Sequence, residues 1–214
     1  AVVLLGFREV ERLALTISVM DLFSHSHDSA RTLRLLWRHS VACATAAGVL
    51  ETVYGDRMAA LRGARIAGLI HDIGKAAIAQ FLPEAHEEIV RLMHDDQLVA
   101  WKAEQMVLDG VTHCDIGAWM TERWNLPPAI VAGVASHHTP ESNTDYPEMA
   151  HCIHIADWLC NGFGVHSSQL NVDFQPHPAA VQTFNMDKNA ILDIQNDLER
   201  QRGLMSAVAA GALS

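Results

Sequence analysis

The stretch Ala67-Gly68-Leu69-Ile70-His71-Asp72-Ile73-Gly74-Lys75 sets an apolar helix end directly before two side chains of metal-ligand type, with a Gly-Lys pair at Gly74-Lys75 shortly after them. The run Ala67 to Ile70 reads as the end of a buried helix that Asp56 can cap at its start. Gly74 is expected to break the pattern, which leaves His71 and Asp72 at a rigid helix end beside a flexible turn. The dipeptide alone proves little, because His27-Asp28 and His94-Asp95 repeat it. Those two sit in polar surroundings and are expected to be solvated in loops.

Outward from this centre, apolar residues recur at three- and four-residue spacing and no sustained alternation appears, so the chain is expected to be all-α. Helices are predicted at about 7–23, from a Ser29 cap to Tyr54, from Asp56 to Ile70, and at about 76–81. Pro83 starts another. Further helices fall at about 98–108, 114–124 and 129–136, and a long one runs from Pro147 to Gly162 or Gly164. Residues 165 to 186 show little periodicity. A final helix from about Asp187 leads to Gly203, and Leu204 to Ser214 reads as a frayed tail.

Composition narrows the function classes. Half of the 214 residues are apolar, enough for one sizeable core. With 25 acidic and 15 basic residues the net charge is -10, so the field that binds phosphate backbones is missing and a nucleic-acid partner is not expected. No apolar run reaches the roughly 18 residues of a membrane span, and no leader pattern precedes the first helix. A cytoplasmic protein with no membrane partner is the expectation. Cys43, Cys114, Cys152 and Cys160 form no C-x-x-C pair and read as reduced, structural residues.

Histidine is the unusual component, with 13 in the chain. A metal site needs neutral imidazoles and carboxylates converging from several elements. Besides His71 and Asp72, the candidates are His39 in a helix, His113 at a helix start, the adjacent His137 and His138 after a helix, and Asp157 in an otherwise apolar helix stretch. Each alone has an ordinary alternative, a surface or hydrogen-bonded His or a paired carboxylate. Together they would be a costly set of polar groups to bury without a shared purpose.

In that order the residues resemble the HD superfamily of metal-dependent phosphohydrolases, whose signature is His, then His-Asp, then a distant Asp. More narrowly, the chain resembles the HDOD domains of bacterial signalling proteins, relatives of the HD-GYP phosphodiesterases. The stretches that carry the likeness are Leu36-Trp37-Arg38-His39-Ser40, Ala67 to Lys75, Glu122-Arg123-Trp124-Asn125-Leu126-Pro127, Ser136-His137-His138 and His154-Ile155-Ala156-Asp157. The resemblance implies an HD-domain-like helical bundle over residues 1–165, truncated at its N-terminal side, with 166–214 an extension packed on the same domain.

It also implies one or two divalent ions, of Fe, Mn, Zn, Co or Ni. His39, His71, Asp72 and Asp157 would hold the first; Asp72 would bridge to a second completed by His113, His137 and His138. Asp72 and Lys75 would be the catalytic residues, with Lys75 neutralising phosphate charge while the ions polarise a phosphoryl group and activate water. The loop Thr139 to Pro147 has Asp145 where the Gly-Tyr-Pro element has Gly, which argues against hydrolysis of cyclic-di-GMP. Leu35 stands where a third ion would need an acidic ligand. Two functions follow: a signal-transduction module that retains the site and works with a signalling partner or upstream regulatory domain, or an active phosphohydrolase on a nucleotide or other phosphoester. A pH or redox sensor is a third reading.

Overall fold

Of thirteen consecutive positions, Leu36 to Gly48, only Arg38 is exposed and only Val41 is half-buried, so the helix that carries them is buried almost all round. This is α1 (Ala30–Tyr54) in the computed structural model of the protein, which describes residues 30–167 and 175–186, and then 189, 191–192, 194–196 and 199–200. The predicted helix at 7–23, the Ser29 cap, the Asp187 start and the frayed tail lie outside the described residues. Among the described residues there is no strand, and no helix is long and apolar enough to cross a membrane.

The chain continues through α2 (Ala64–Ile70), α3 (Ile73–Phe81), α4 (Pro83–Asp95), α5 (Ala100–Val107), α6 (His113–Arg123), α7 (Pro128–Ser136), α8 (Pro147–Gly162) and α9 (Pro178–Phe184). Proline occupies the first position of α4, α7, α8 and α9, where its missing N–H costs nothing. Helix α8 is the second all-round buried helix, with every residue from Met149 to Cys160 except Trp158 buried. Its apolar side chains join those of α1, α2 and α7 in one core that includes Trp37, Leu50, Ile70, Val134 and Ile153. A smaller core, Ile78, Ile89, Leu92, Met93 and Ala103, ties α3, α4 and α5 together.

Small residues allow the close packing that α1 needs. A Cβ on Gly68 would lie 2.7 Å from the Cys43 carbonyl oxygen, so α2 approaches α1 backbone to backbone. The start of α2 differs from the expectation. Asp56 is exposed in a turn and caps nothing; the chain passes through a 3-10 turn at Ala59–Leu61 and enters α2 at Gly63, whose φ is 90°. The capping carboxylate comes from α1, where Glu51 accepts from the N–H groups of Gly63 (3.1 Å) and Arg65 (3.4 Å). A negative group from a neighbouring helix thus meets the positive end of α2.

Gly74 also departs from its expected role. It lies within α3, where a Cβ would be 2.0 Å from the His113 carbonyl oxygen. The residue is small because two backbones meet there, so it locks α3 against α6 where a helix break was expected. His94-Asp95 belongs to the last turn of α4 and is not in a loop, but it is exposed as anticipated, with Asp95 paired to Arg91. Helix α9 gave no periodic signal because seven residues are too few to show one. It nonetheless places Ala180 and Phe184 in the main core, with Phe184 edge-on to Tyr54 at 5.2 Å.

Gly74→Ala is expected to lower stability by about 2–3 kcal/mol, the overpacking range for a contact that cannot yield. In a domain of this size that is a fall of roughly 5–10 °C in melting temperature. Gly162→Ala, where an added Cβ meets nothing within 4 Å, is the control and should leave the thermal midpoint within a degree or two, about the effect of a neutral surface change.

Candidate metal centre

Six side chains from five places in the chain meet in the interior, each at most 3% exposed: His39 from the middle of α1, His71 and Asp72 from the link between α2 and α3, His113 from the first residue of α6, His137 from the end of α7, and Asp157 from α8. Asp72 is the common neighbour. Its Oδ1 lies 3.2 Å from His113 Nε2 and 3.6 Å from His137 Nε2, and its Oδ2 lies 3.5 Å from His71 Nε2 and 3.9 Å from His39 Nε2. Asp157 Oδ1 stands 3.0 Å from His39 Nε2. His138 is half-buried beside this group, its ring 4.2 Å from that of His137 and 5.1 Å from that of His113. Every residue expected at the site is therefore in or against one cluster.

The outer nitrogen of each ring explains its orientation. Nδ1 of His39 reaches the Val165 carbonyl at 2.7 Å, Nδ1 of His71 the Gly68 carbonyl at 2.8 Å, and Nδ1 of His137 the Val134 carbonyl at 2.8 Å. Carbonyls accept only, so each Nδ1 carries a proton and each Nε2 faces inward, where it offers a lone pair whenever the ring is neutral. His113 follows the same plan through a carboxylate: Glu104 Oε2 accepts from His113 Nδ1 at 2.6 Å and from its backbone N–H at 2.8 Å. Thr112 and Asp115 fix the start of α6 in a reciprocal capping box, which holds His113 at that position. Asp157 is steadied by Asn161 Nδ2 at 2.7 Å.

The result is a knot of acceptors. His113 Nε2 and His137 Nε2 face each other at 3.3 Å, Asp72 Oδ1 lies against both, and neither Asp72 Oδ1 nor His71 Nε2 makes a hydrogen bond. Buried acceptors repel unless a cation sits among them. Without a metal, protons fill that role. Burial works against the charged form of every group here. Even so, the hydrogen bond and charge of Asp157 raise His39 to about 9, and the Cys114 and Asp72 contacts raise His137 to about 10. His113 is also raised, by the charges of Cys114 and Glu104. Burial wins at His71, which falls to about 3 and stays neutral. Burial opposes ionisation of Asp72 too, but Lys75 and the imidazoles hold its carboxyl well below the usual range.

This donor set fits divalent ions of the imidazole- and carboxylate-binding kind. Ligand-type atoms of His39, His71 and Asp157 cluster within 4.8 Å, as do those of His71, Asp72 and His137, and those of His113, His137 and His138. Neighbouring thiols join two of the groups, Cys43 the first and Cys114 the last. Residues that the sequence did not single out support the site: Glu104, Asn161 and the two thiols. A Glu that breaks the buried face of α5 was the available signal for Glu104; its partner, nine residues on, could be assigned only in three dimensions.

Lys75 Nζ binds Asp72 Oδ2 at 2.8 Å and Ser167 Oγ at 3.3 Å. It also lines a cavity of about 560 Å³ with His138, Asp157, Trp101 and Lys102, so the cluster opens to solvent on that side. His154 closes part of the wall, its Nδ1 at 2.6 Å from the His137 carbonyl and its Nε2 accepting from the His177 N–H at 2.8 Å. The segment before α9 is thereby tied to the metal-ligand candidates.

A family model described as the HDOD domain matches residues 1–140. A curated relative, an uncharacterised protein of Treponema pallidum, is 23% identical over 158 residues, which is 73% of this chain and 30% of that protein. A crystal structure of a protein from Marinobacter aquaeolei, provisionally described as a signal transduction protein, superposes with a TM-score of 0.70 at 21% identity over 83% of this chain and 39% of the other. An HDOD domain protein of unknown function from Geobacter sulfurreducens gives 0.66 at 19% identity, over 92% and 68% of the two chains. A protein from Shewanella amazonensis, provisionally described as a phosphohydrolase, gives 0.53 at 14% identity, over 89% and 85%. At these identities the solved structures speak for the fold. The chain spans 30% of the Treponema relative and 39% of the Marinobacter chain.

Because protons at His39 (about 9) and His137 (about 10) must leave before an ion enters, metal affinity is expected to rise with pH up to that range, by about tenfold per pH unit for each proton displaced. Calorimetric titration in buffers of different ionisation enthalpy measures the released protons directly; none released below pH 8 would contradict this charge arrangement. Glu104→Gln keeps the acceptor but removes the charge behind His113, and should weaken metal affinity by about 10- to 100-fold, as loss of such an outer partner does elsewhere.

Proposed function

The chain belongs to the HDOD domain family, and from that premise we propose that it is a bacterial signal-transduction module whose His/Asp centre holds a pair of divalent metal ions. The observation that carries this reading is the meeting of four inward-facing Nε2 atoms around the buried carboxylate of Asp72. An interior with that many acceptors is organised for cations. His39, His71, Asp72 and Asp157 would hold one ion, and Asp72 with His113, His137 and His138 the other. Ion binding joins α1, α2, α6, α7 and α8 at one point, so occupancy would couple to stability and to the posture of the helices a partner meets.

The second reading, a phosphohydrolase acting on a nucleotide or other phosphoester, is favoured by the cavity beside the cluster. Bound ions would supply Lewis acidity toward a phosphoryl oxygen. Lys75, held in place by Asp72 and Ser167, presents a fixed positive charge at the cavity wall. Lys102 adds a second, and the Trp101 ring offers a flat apolar face next to His138. These groups suit a phosphoester with an aromatic or apolar portion.

Elemental analysis of protein purified without chelator should find one to two transition-metal ions per chain, and Asp72→Ala should remove them; protein that takes up no metal under any loading condition would end both readings. Metal uptake without turnover of phosphomonoesters, nucleotides or cyclic dinucleotides supports the signalling module. Metal-dependent turnover lost in His71→Ala moves the assignment to the hydrolase.

A further inference from the structure

Cys114 follows His113 at the start of α6 and is 6% exposed. Its Sγ lies 3.5 Å from His113 Nε2 and stands beside the His137 ring, 3.8 Å from its Nδ1 and 3.9 Å from its Nε2. The two Nε2 atoms already face Asp72 Oδ1, a buried oxygen with no hydrogen bond. The sulfur thus lies beside the two imidazoles that face Asp72, and its donor atom lies within 4.8 Å of those of His113, His137 and His138.

We infer that Cys114 is a thiolate ligand of the second ion, together with His113, His137 and His138. The inference rests on the proposed metal centre and adds to it the chemical class of the ion. A thiolate beside imidazoles selects a borderline ion such as Zn²⁺, Co²⁺ or Fe²⁺ and disfavours Mg²⁺, Ca²⁺ and Mn²⁺, which take oxygen ligands. Binding releases the thiol proton to solvent, and the sulfur donates its electron pair to the ion with no change of oxidation state. With so many protein donors converging, the second ion would be held mostly by the chain, and only the His138 side would face the cavity. Such a shell belongs to ions that hold or sense structure more than to ions that must keep a position open for a substrate.

The alternative is a thiol that merely donates a hydrogen bond to His113 Nε2. Loading with cobalt(II) separates the two, because a thiolate ligand adds a sulfur-to-metal charge-transfer band in the near ultraviolet and imidazole and carboxylate do not. The expected result is that band in the wild-type protein, its loss in Cys114→Ser, and a second-ion affinity at least tenfold weaker in that variant while the first ion still binds. X-ray absorption of the wild-type zinc form should show a sulfur neighbour at about 2.3 Å, one for each pair of ions, a reading that does not depend on the variant folding. Bound metal with only nitrogen and oxygen neighbours, or a band that survives Cys114→Ser, overturns this assignment and leaves the metal centre standing. Failure to bind metal at all overturns both.

Discussion

A carboxylate buried to 1% exposure amid four imidazoles and one ammonium is a strong constraint on everything around it. Removing Asp72 from water costs several kcal/mol unless positive charge comes with it. Lys75 supplies part of that charge at 2.8 Å, but only to Oδ2. Oδ1 is left to His113 and His137, whose inward nitrogens carry a positive charge only when protonated or when they share a cation. The charge balance of the whole interior therefore turns on what occupies the space next to one oxygen.

The helices are arranged to keep that space fixed. His71 and Asp72 sit where α2 hands over to α3, a point set by two backbone contacts: Gly68 on the Cys43 carbonyl and Gly74 on the His113 carbonyl. The second contact joins α3 to the first residue of α6, so the position of Asp72 and that of His113 are determined together. Glu104 then sets the ring of His113, and carbonyls of the chain itself set the rings of His39, His71 and His137. A residue aimed through its outer nitrogen has little rotational freedom left, which is the preorganisation a metal site requires.

This interior is compatible with either a sensing or a catalytic use, since fold membership does not fix chemistry. What differs is exposure. The part of the cluster near His138, Asp157 and Lys75 reaches the cavity, while the part around His113, Cys114 and His137 is enclosed. Of two ions held there, the one at Asp157 would stand beside the cavity, and the other would reach it only through His138. The tie from His154 to the segment before α9 gives the C-terminal region a route to the same junction.

The all-α class, most helix positions and the residues that meet in the buried cluster were legible in the sequence, because apolar spacing reports which faces are buried and because His39, His71-Asp72, His113, His137-His138 and Asp157 stand in a recognisable order. Three matters were settled only by tertiary structure. The cap of α2 comes from Glu51 because a carboxylate on another helix reaches Gly63, and no local pattern encodes that. Gly74 reads as a helix breaker along the chain, yet it is a contact point, since its constraint lies in the His113 backbone some forty residues away. Glu104 and Cys114 join the site because α5 and the start of α6 fold toward Asp72. Periodicity records burial along one element, whereas the direction of a lone pair depends on which partner from another element takes the opposite nitrogen.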